Sequence, residues 1–290
     1  MTDYLEQDPY LVNIYEGYGF AKDYGSARGH EYCLEDVHKT QRPHAKEAGR
    51  GGVRVVTHSY VNKALGDNVS AIDPSNMACG QCHIEYYFTP EDSETMMPYH
   101  SVSEMTPEAI LAYYDEIGFK DWVQESTGTP LLKAQHPEFE TFLQGKHAAF
   151  LNCADCHMPI EMADDGTVYH SHTLVSPLEN DTLLQTCAKC HADTDMTKLV
   201  KGIQERVTAR ETEVGNELSE FKTALATAVS EGAKSEEELD AIRKLHREAQ
   251  WFFDFCYVEN AEGAHNSELA MRCLDTSESK IAEAMALLEA

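Results

Sequence analysis

Positive charge is scarce in this sequence. Lys and Arg number 23 against 50 Asp and Glu, a formal net charge of −27. That balance excludes binding to nucleic acid or to an anionic membrane surface, because phosphate contacts need clustered cations. It suits a small soluble ligand or a basic protein partner. Long apolar runs are also missing. Apolar residues make up 42% of the chain and mean hydropathy is −0.46, and no run approaches the roughly 20 residues of a membrane helix. An export leader is absent, since Met1–Asp8 has neither a basic start nor an apolar core. Strand alternation is rare, and aliphatic content is modest for 290 residues. Something other than side chains is therefore expected to fill part of the interior.

Cysteine and histidine, by contrast, are plentiful, at nine and fourteen. Six of the cysteines fall in one repeated frame: Cys79-Gly80-Gln81-Cys82-His83, Cys153-Ala154-Asp155-Cys156-His157 and Cys187-Ala188-Lys189-Cys190-His191. At this composition chance yields about 0.01 such frames, and the frame is the attachment pattern of c-type haem. Two thiols at this spacing can add to the two vinyl groups on one porphyrin edge. The histidine that follows then falls under the ring and donates a nitrogen to iron. A zinc ribbon is the competing interpretation, but its knuckles stand about 15–20 residues apart. Thirty residues separate Cys156 from Cys187, and a histidine follows every knuckle. Disulfide scaffolding belongs to much shorter chains.

Each iron has a second axial position. Three proximal histidines leave eleven others, namely His30, His38, His44, His58, His100, His136, His147, His170, His172, His246 and His265. Spacing does not choose among them. Of the three remaining cysteines, Cys256 and Cys273 sit in helical apolar stretches and are expected to be buried thiols; Cys33 lies in the N-terminal part.

The chain divides near residue 195. Residues 1–195 hold the frames among Gly and Pro punctuation, with short helices such as 107–117 and a Gly-rich join at 45–52. From 196 the character changes. Leu199, Ile203, Val207, Val214, Leu218, Phe221 and Leu225 mark one apolar stripe of a long helix that Gly232 would end. Ser235 with Glu238 forms a capping box for a second helix, carrying Leu239, Ile242, Leu245 and the run Trp251-Phe252-Phe253. A third begins near 267, with Leu274, Ile281, Met285 and Leu288. Their stripes can meet within the chain or across a dimer interface. The expected class is mainly α with little β: a haem-packed region 1–195 and a long-helix region 196–290.

Several ordered blocks carry a family resemblance. They include Gly17-Tyr18-Gly19-Phe20, Ala27-Arg28-Gly29-His30, Asp36-Val37 with Thr40-Gln41-Arg42, and the first frame continued through Ile84-Glu85-Tyr86-Tyr87-Phe88. Further on come Lys133-Ala134-Gln135-His136-Pro137-Glu138, the second frame with Met158-Pro159, the third frame, and Gly263-Ala264-His265-Asn266. In these the chain resembles ammonia-forming cytochrome c nitrite reductase, a periplasmic multihaem family that reduces nitrite to ammonium with six electrons and eight protons.

The resemblance implies a catalytic set of Arg42, Tyr86 and His136. Arg42 would hold the anionic substrate, while His136 and Tyr86 would supply protons. It implies calcium bound by the Glu85 carboxylate, the Tyr86 and Lys133 carbonyls and the Gln135 side-chain oxygen, all hard donors. It also implies distal ligands: His30 for the Cys79–His83 haem, His265 for Cys153–His157, and His147 for Cys187–His191. His172 matches a ligand whose haem lies elsewhere. Implied partners are nitrite, a quinol-linked or cytochrome electron donor, and a second copy docked through the C-terminal helices. An extracytoplasmic location goes with these, with the export signal removed or the chain a fragment.

The family carries five haems, the catalytic one in a Cys-x-x-Cys-Lys frame. That frame and one further Cys-x-x-Cys-His frame are missing here, both between the segments holding Arg42 and Cys79. The expected break lies near 45–55, with the family pattern resuming at Val56-Thr57 and Tyr60–Leu65. Three expectations follow: a nitrite reductase by descent, a tri-haem electron-transfer cytochrome whose irons all carry two histidines, or an inactive fragment.

Overall fold

The computed structural model describes residues 4–17, 64–66, 68, 72–73, 75–80, 83–89, 95–172 and 174–290. The join at 45–52, the expected break near 45–55, Cys33, His30, Arg42 and Cys82 lie outside the described residues. In chain order, α1 is Tyr4–Gln7, α2 Tyr10–Tyr15 and α3 Asn76–Cys79. A hairpin of β1 Tyr87–Phe88 and β2 Thr95–Met96 follows, then α4 Pro107–Glu116 and a second hairpin of β3 Trp122–Val123 and β4 Pro130–Leu131. Next come α5 Glu138–Leu143, α6 Cys153–His157, a third hairpin of β5 Ile160–Met162 and β6 Val168–His170, and α7 Asp181–Cys187. Three long helices end the chain: α8 Met196–Glu231, α9 Glu236–Tyr257 and α10 Ser267–Glu289. Strand content among the described residues is confined to these three antiparallel pairs, so the fold is mainly α.

The long helices start and stop where their end residues dictate. Asp195 caps α8 by accepting from the Lys198 N–H, and Gly232 ends it in the left-handed region at φ 62°. Ser235 and Glu238 form the expected capping box on α9. Asn266 caps α10 through the Leu269 N–H at 3.1 Å. The α8 stripe is buried from Val207 to Leu225 but not at its start, where Leu199 is 43% exposed. The first turns of α8 project beyond the bundle toward α7, so only the later part of the stripe meets α9 and α10.

Helix α9 is the hub. Trp251, Phe253 and Phe255 are buried, and the Trp251 indole N–H donates to the Pro107 carbonyl at 2.9 Å, docking α4. Arg247 donates to Asp115 at 2.7 Å and to the carbonyls of Pro130 and Phe119 at 2.9 and 2.8 Å, tying β4 and the end of α4 to the same helix. On the other side Ser277 of α10 donates to the Ala249 carbonyl. Helix α2 lies on α8 where Gly215 leaves room for the Tyr10 ring; any Cβ there would collide with it. One apolar core thus joins residues from α2, α4 and all three long helices.

The frame-bearing segment is built differently. Among described residues 145–195 only Pro159, Ser171 and Leu183 are buried. Phe150, Ile160, Met162, Val168 and Tyr169 are all exposed. A segment of this length cannot cover itself with so few inward side chains, which fits an interior filled by bulky prosthetic groups.

Truncating Trp251 to Ala should cost about 3–5 kcal/mol of stability, whereas Leu199→Ala should stay within about 0.5 kcal/mol. Denaturant midpoints of the two variants check this difference. Buried Asp254 provides a pH-dependent counterpart. Burial pushes its carboxyl up to about 7, against hydrogen bonds from Tyr15 (2.5 Å) and Gln250 (3.2 Å) that favour the charged form. A carboxyl raised on folding contributes stability that is fully present below its unfolded value of about 4 and is lost as pH rises to about 7. Asp254→Asn should therefore flatten the fall in unfolding free energy between about pH 4 and about 7, measured by denaturant titration across that range.

Candidate functional site

The second and third haem frames are each wound into one helical turn: Cys153–His157 is itself α6, and the amide of His191 donates to the Cys187 carbonyl at 3.0 Å. In the first frame the amide of His83 donates to the Cys79 carbonyl at the same distance. A helical turn puts residues three and four apart on one side, so in the second and third frames the paired thiols and the histidine share a side. Asn152 and Asp155 close a capping box on α6. The Cys153 amide donates to the Asn76 side chain at 2.8 Å, joining the second frame to α3 of the first. Helix α6 packs against α3 of the first frame and against α7 of the third. The three frames are consecutive neighbours, in the order 79, 153, 187.

Two histidine pairs lie close together. The rings of His157 and His265 stand 6.2 Å apart between centres, those of His147 and His191 6.3 Å. With a nitrogen–metal bond of about 2.0 Å and a ring centre about 1.1 Å behind the nitrogen, two imidazoles sharing one metal have centres about 6.2 Å apart. Both pairs fit a haem iron between them. His83 is half-buried, and its implied partner His30 lies outside the described residues. His172 is exposed.

The outer ring nitrogens also have partners. The His265 Nδ1 is 2.6 Å from Glu259 Oε1. The His157 Nδ1 faces the Val175 carbonyl at 3.3 Å, and His83 Nδ1 is 3.5 Å from Glu138 Oε2. Burial lowers the affinity of His265 for a proton, but the Glu259 carboxylate outweighs it and the net shift is upward. For His83 the hydrogen bond to Glu138 dominates and raises it.

Beside the first frame lies an acidic pocket. Glu85 is fully buried; one carboxylate oxygen accepts the Gln135 amide at 2.6 Å. That bond ties the Glu85 side chain to the backbone next to His136. Tyr86 is half-buried and packs edge-on against Phe88 at 5.4 Å. The Lys133 carbonyl accepts from the Tyr87 hydroxyl at 2.8 Å. Glu140, also fully buried, accepts from the Glu85 amide (2.9 Å) and the Tyr99 hydroxyl (3.0 Å), while its second oxygen has no partner. Burial holds the Glu85 carboxyl well above the usual carboxylate range and pushes Glu140 up to about 8. The Glu85 carboxylate and the Lys133 carbonyl are hard oxygen donors of the kind calcium takes. No cluster of three or more His, Cys, Asp or Glu side chains at metal-binding distance occurs among the described residues; the implied calcium set uses a single carboxylate.

The sequence matches the Cytochrome c552 family over residues 1–57 and 54–290. The chain belongs to that family. It is similar to the catalytic subunit of cytochrome c nitrite reductase from Desulfovibrio desulfuricans, a structure described for the relevance of its two calcium sites. Identity is 28% and the TM-score 0.70, over 80% of this chain and 53% of that one. The chain therefore spans about half the length of that relative. The outer cell wall cytochrome OcwA is far less similar, at 16% identity and a TM-score of 0.38 over 76% of this chain and 48% of that one.

Sequence reasoning missed the carboxylates behind the histidines. Glu138 closes the block Lys133–Glu138 and could have been noticed two positions after His136. Glu259 precedes His265 by six residues, a separation with no regular meaning, so only the fold reveals it.

Replacing His147 or His265 by Ala should turn one low-spin iron of the haem-loaded protein high-spin and leave the others unchanged. Electron paramagnetic resonance of each variant checks this, and an unaltered low-spin spectrum contradicts the pairing.

Proposed function

We propose that this chain is an oxidoreductase of the ammonia-forming nitrite reductase kind whose own covalent machinery is a relay of three bis-histidine haems. The observation that carries the proposal is the pair of ring separations, 6.2 and 6.3 Å, each between a frame histidine and one from a distant segment. Bound haem supplies one-electron exchange between ferric and ferrous iron. The protein's part is attachment, ligation and spacing. Cys79 with Cys82, Cys153 with Cys156 and Cys187 with Cys190 hold the rings. His83 with His30, His157 with His265 and His191 with His147 would hold the three irons, leaving substrate no place at them.

The pocket residues serve the family's substrate. Arg42 binds the nitrite anion, and His136 and Tyr86 hydrogen-bond it and hold protons for transfer. Glu85, Gln135 and the carbonyls of Tyr86 and Lys133 bind calcium, which braces Tyr86 and His136 through their neighbours in the chain. A catalytic iron is not among the groups this sequence attaches, because it contains no Cys-x-x-Cys-Lys frame. The family match falls in two pieces that overlap at residues 54–57, and this supports reading the chain as shortened in that part. That favours electron relay over nitrite turnover for this chain alone. Its donor is a quinol-linked protein or another cytochrome, its location extracytoplasmic, and its C-terminal helices pair two copies. No helix of the described residues is long and apolar enough to cross a membrane.

A pyridine haemochrome assay should count three haems per chain, with a wholly low-spin spectrum. Reduced dye should not be oxidised by nitrite in its presence. Ammonium formed by protein carrying only three haems would overturn the relay assignment, and colourless protein from cells competent in haem attachment would overturn the haem assignment as well.

A further inference from the structure

We propose that Glu259 is a positioning residue that sets the reduction potential of the haem attached at Cys153 and Cys156, keeping it below that of the haem at Cys187 and Cys190. The inference rests on the haem ligation proposed above. An imidazole that gives one nitrogen to iron must carry its proton on the other. In His265 that other nitrogen, Nδ1, is 2.6 Å from Glu259 Oε1, a short charge-assisted hydrogen bond.

The carboxylate is built into its place. Glu259 is 3% exposed, just past the end of α9. Its oxygens also accept from the Ala261 amide at 3.2 Å and the Gly263 amide at 3.3 Å, so the loop leading to His265 folds around it. Gly263 makes that fold possible: it sits at φ 85°, and a Cβ there would lie 2.6 Å from a Val207 methyl carbon. Among the described residues no Lys or Arg forms an ion pair with Glu259 that would neutralise it.

The effect on iron has one sign. A carboxylate behind a ligating histidine draws on its N–H and makes the metal-bound nitrogen a stronger donor. Its negative charge, poorly screened because buried, also favours the more positive ferric state. Both lower the potential. The His147–His191 pair is the internal comparison. Its ring separation is nearly the same, yet among the described residues no carboxylate bonds to either ring. His83 has Glu138 at the longer distance of 3.5 Å, which predicts the same sign with a smaller size.

The test is a spectropotentiometric titration of the haem-loaded protein and two variants. Glu259→Gln should keep three low-spin haems and raise one midpoint. The expected shift is tenfold or more in that haem's equilibrium constant toward ferrous iron, about 59 mV for a one-electron couple. Glu259→Asp, which retains the charge, should stay within threefold of the unmutated protein. Three unchanged midpoints in Glu259→Gln, with all haems low-spin, would overturn the proposal. So would equal shifts in both variants. If Glu259→Gln instead loses the low-spin signal of one haem, Glu259→Asp decides: retention supports the carboxylate's role, and a shared loss overturns it. Unmutated protein without haem would sink the ligation assignment and this inference together, an outcome separate from loaded protein whose midpoints do not move.

Discussion

The bis-histidine ligation proposed for this chain demands that residues from distant parts of the chain be brought to one fixed separation. The fold meets that demand at two ring pairs. His265 follows the hub helix α9, yet its ring lies 6.2 Å from that of His157 on α6. His147 and His191 are brought to 6.3 Å across the segment that contains α6 and α7. An iron between each pair would clip two distant segments together, and so give residues 145–195 a defined path with only Pro159, Ser171 and Leu183 buried among those described.

Two kinds of cohesion therefore coexist. The C-terminal helices are held by ordinary side-chain packing, in which Trp251, Phe253, Leu218 and Leu274 are wholly or nearly inaccessible. The frame-bearing segment relies on groups attached to it. Helix α9 connects the two: its buried face anchors α4 through Trp251 and Arg247, and its end leads directly into the loop carrying Glu259 and His265. Rigidity in the packed half thus becomes precision in the position of a ligand.

The acidic pocket follows a related logic. Burying Glu85 and Glu140 side by side is unfavourable without a compensating cation or proton. Natural folds keep such arrangements where they serve a site. Here the Glu85 side chain is also tied to the backbone next to His136, so the unfavourable burial and the placement of that segment come from one set of contacts.

Much of this was legible in the residues. The three frames name their own chemistry because the porphyrin edge dictates the spacing of its thiols. The helix ends at Gly232 and Ser235 are local matters of capping, readable within four residues. The mainly helical class follows from periodicity. What the sequence could not determine is which of eleven further histidines approaches which frame, that the start of the α8 stripe would stay exposed at Leu199, and that Glu259 would stand behind His265. Those depend on how helices cross and where a loop turns. Such contacts join residues up to about a hundred positions apart, and no local spacing encodes them.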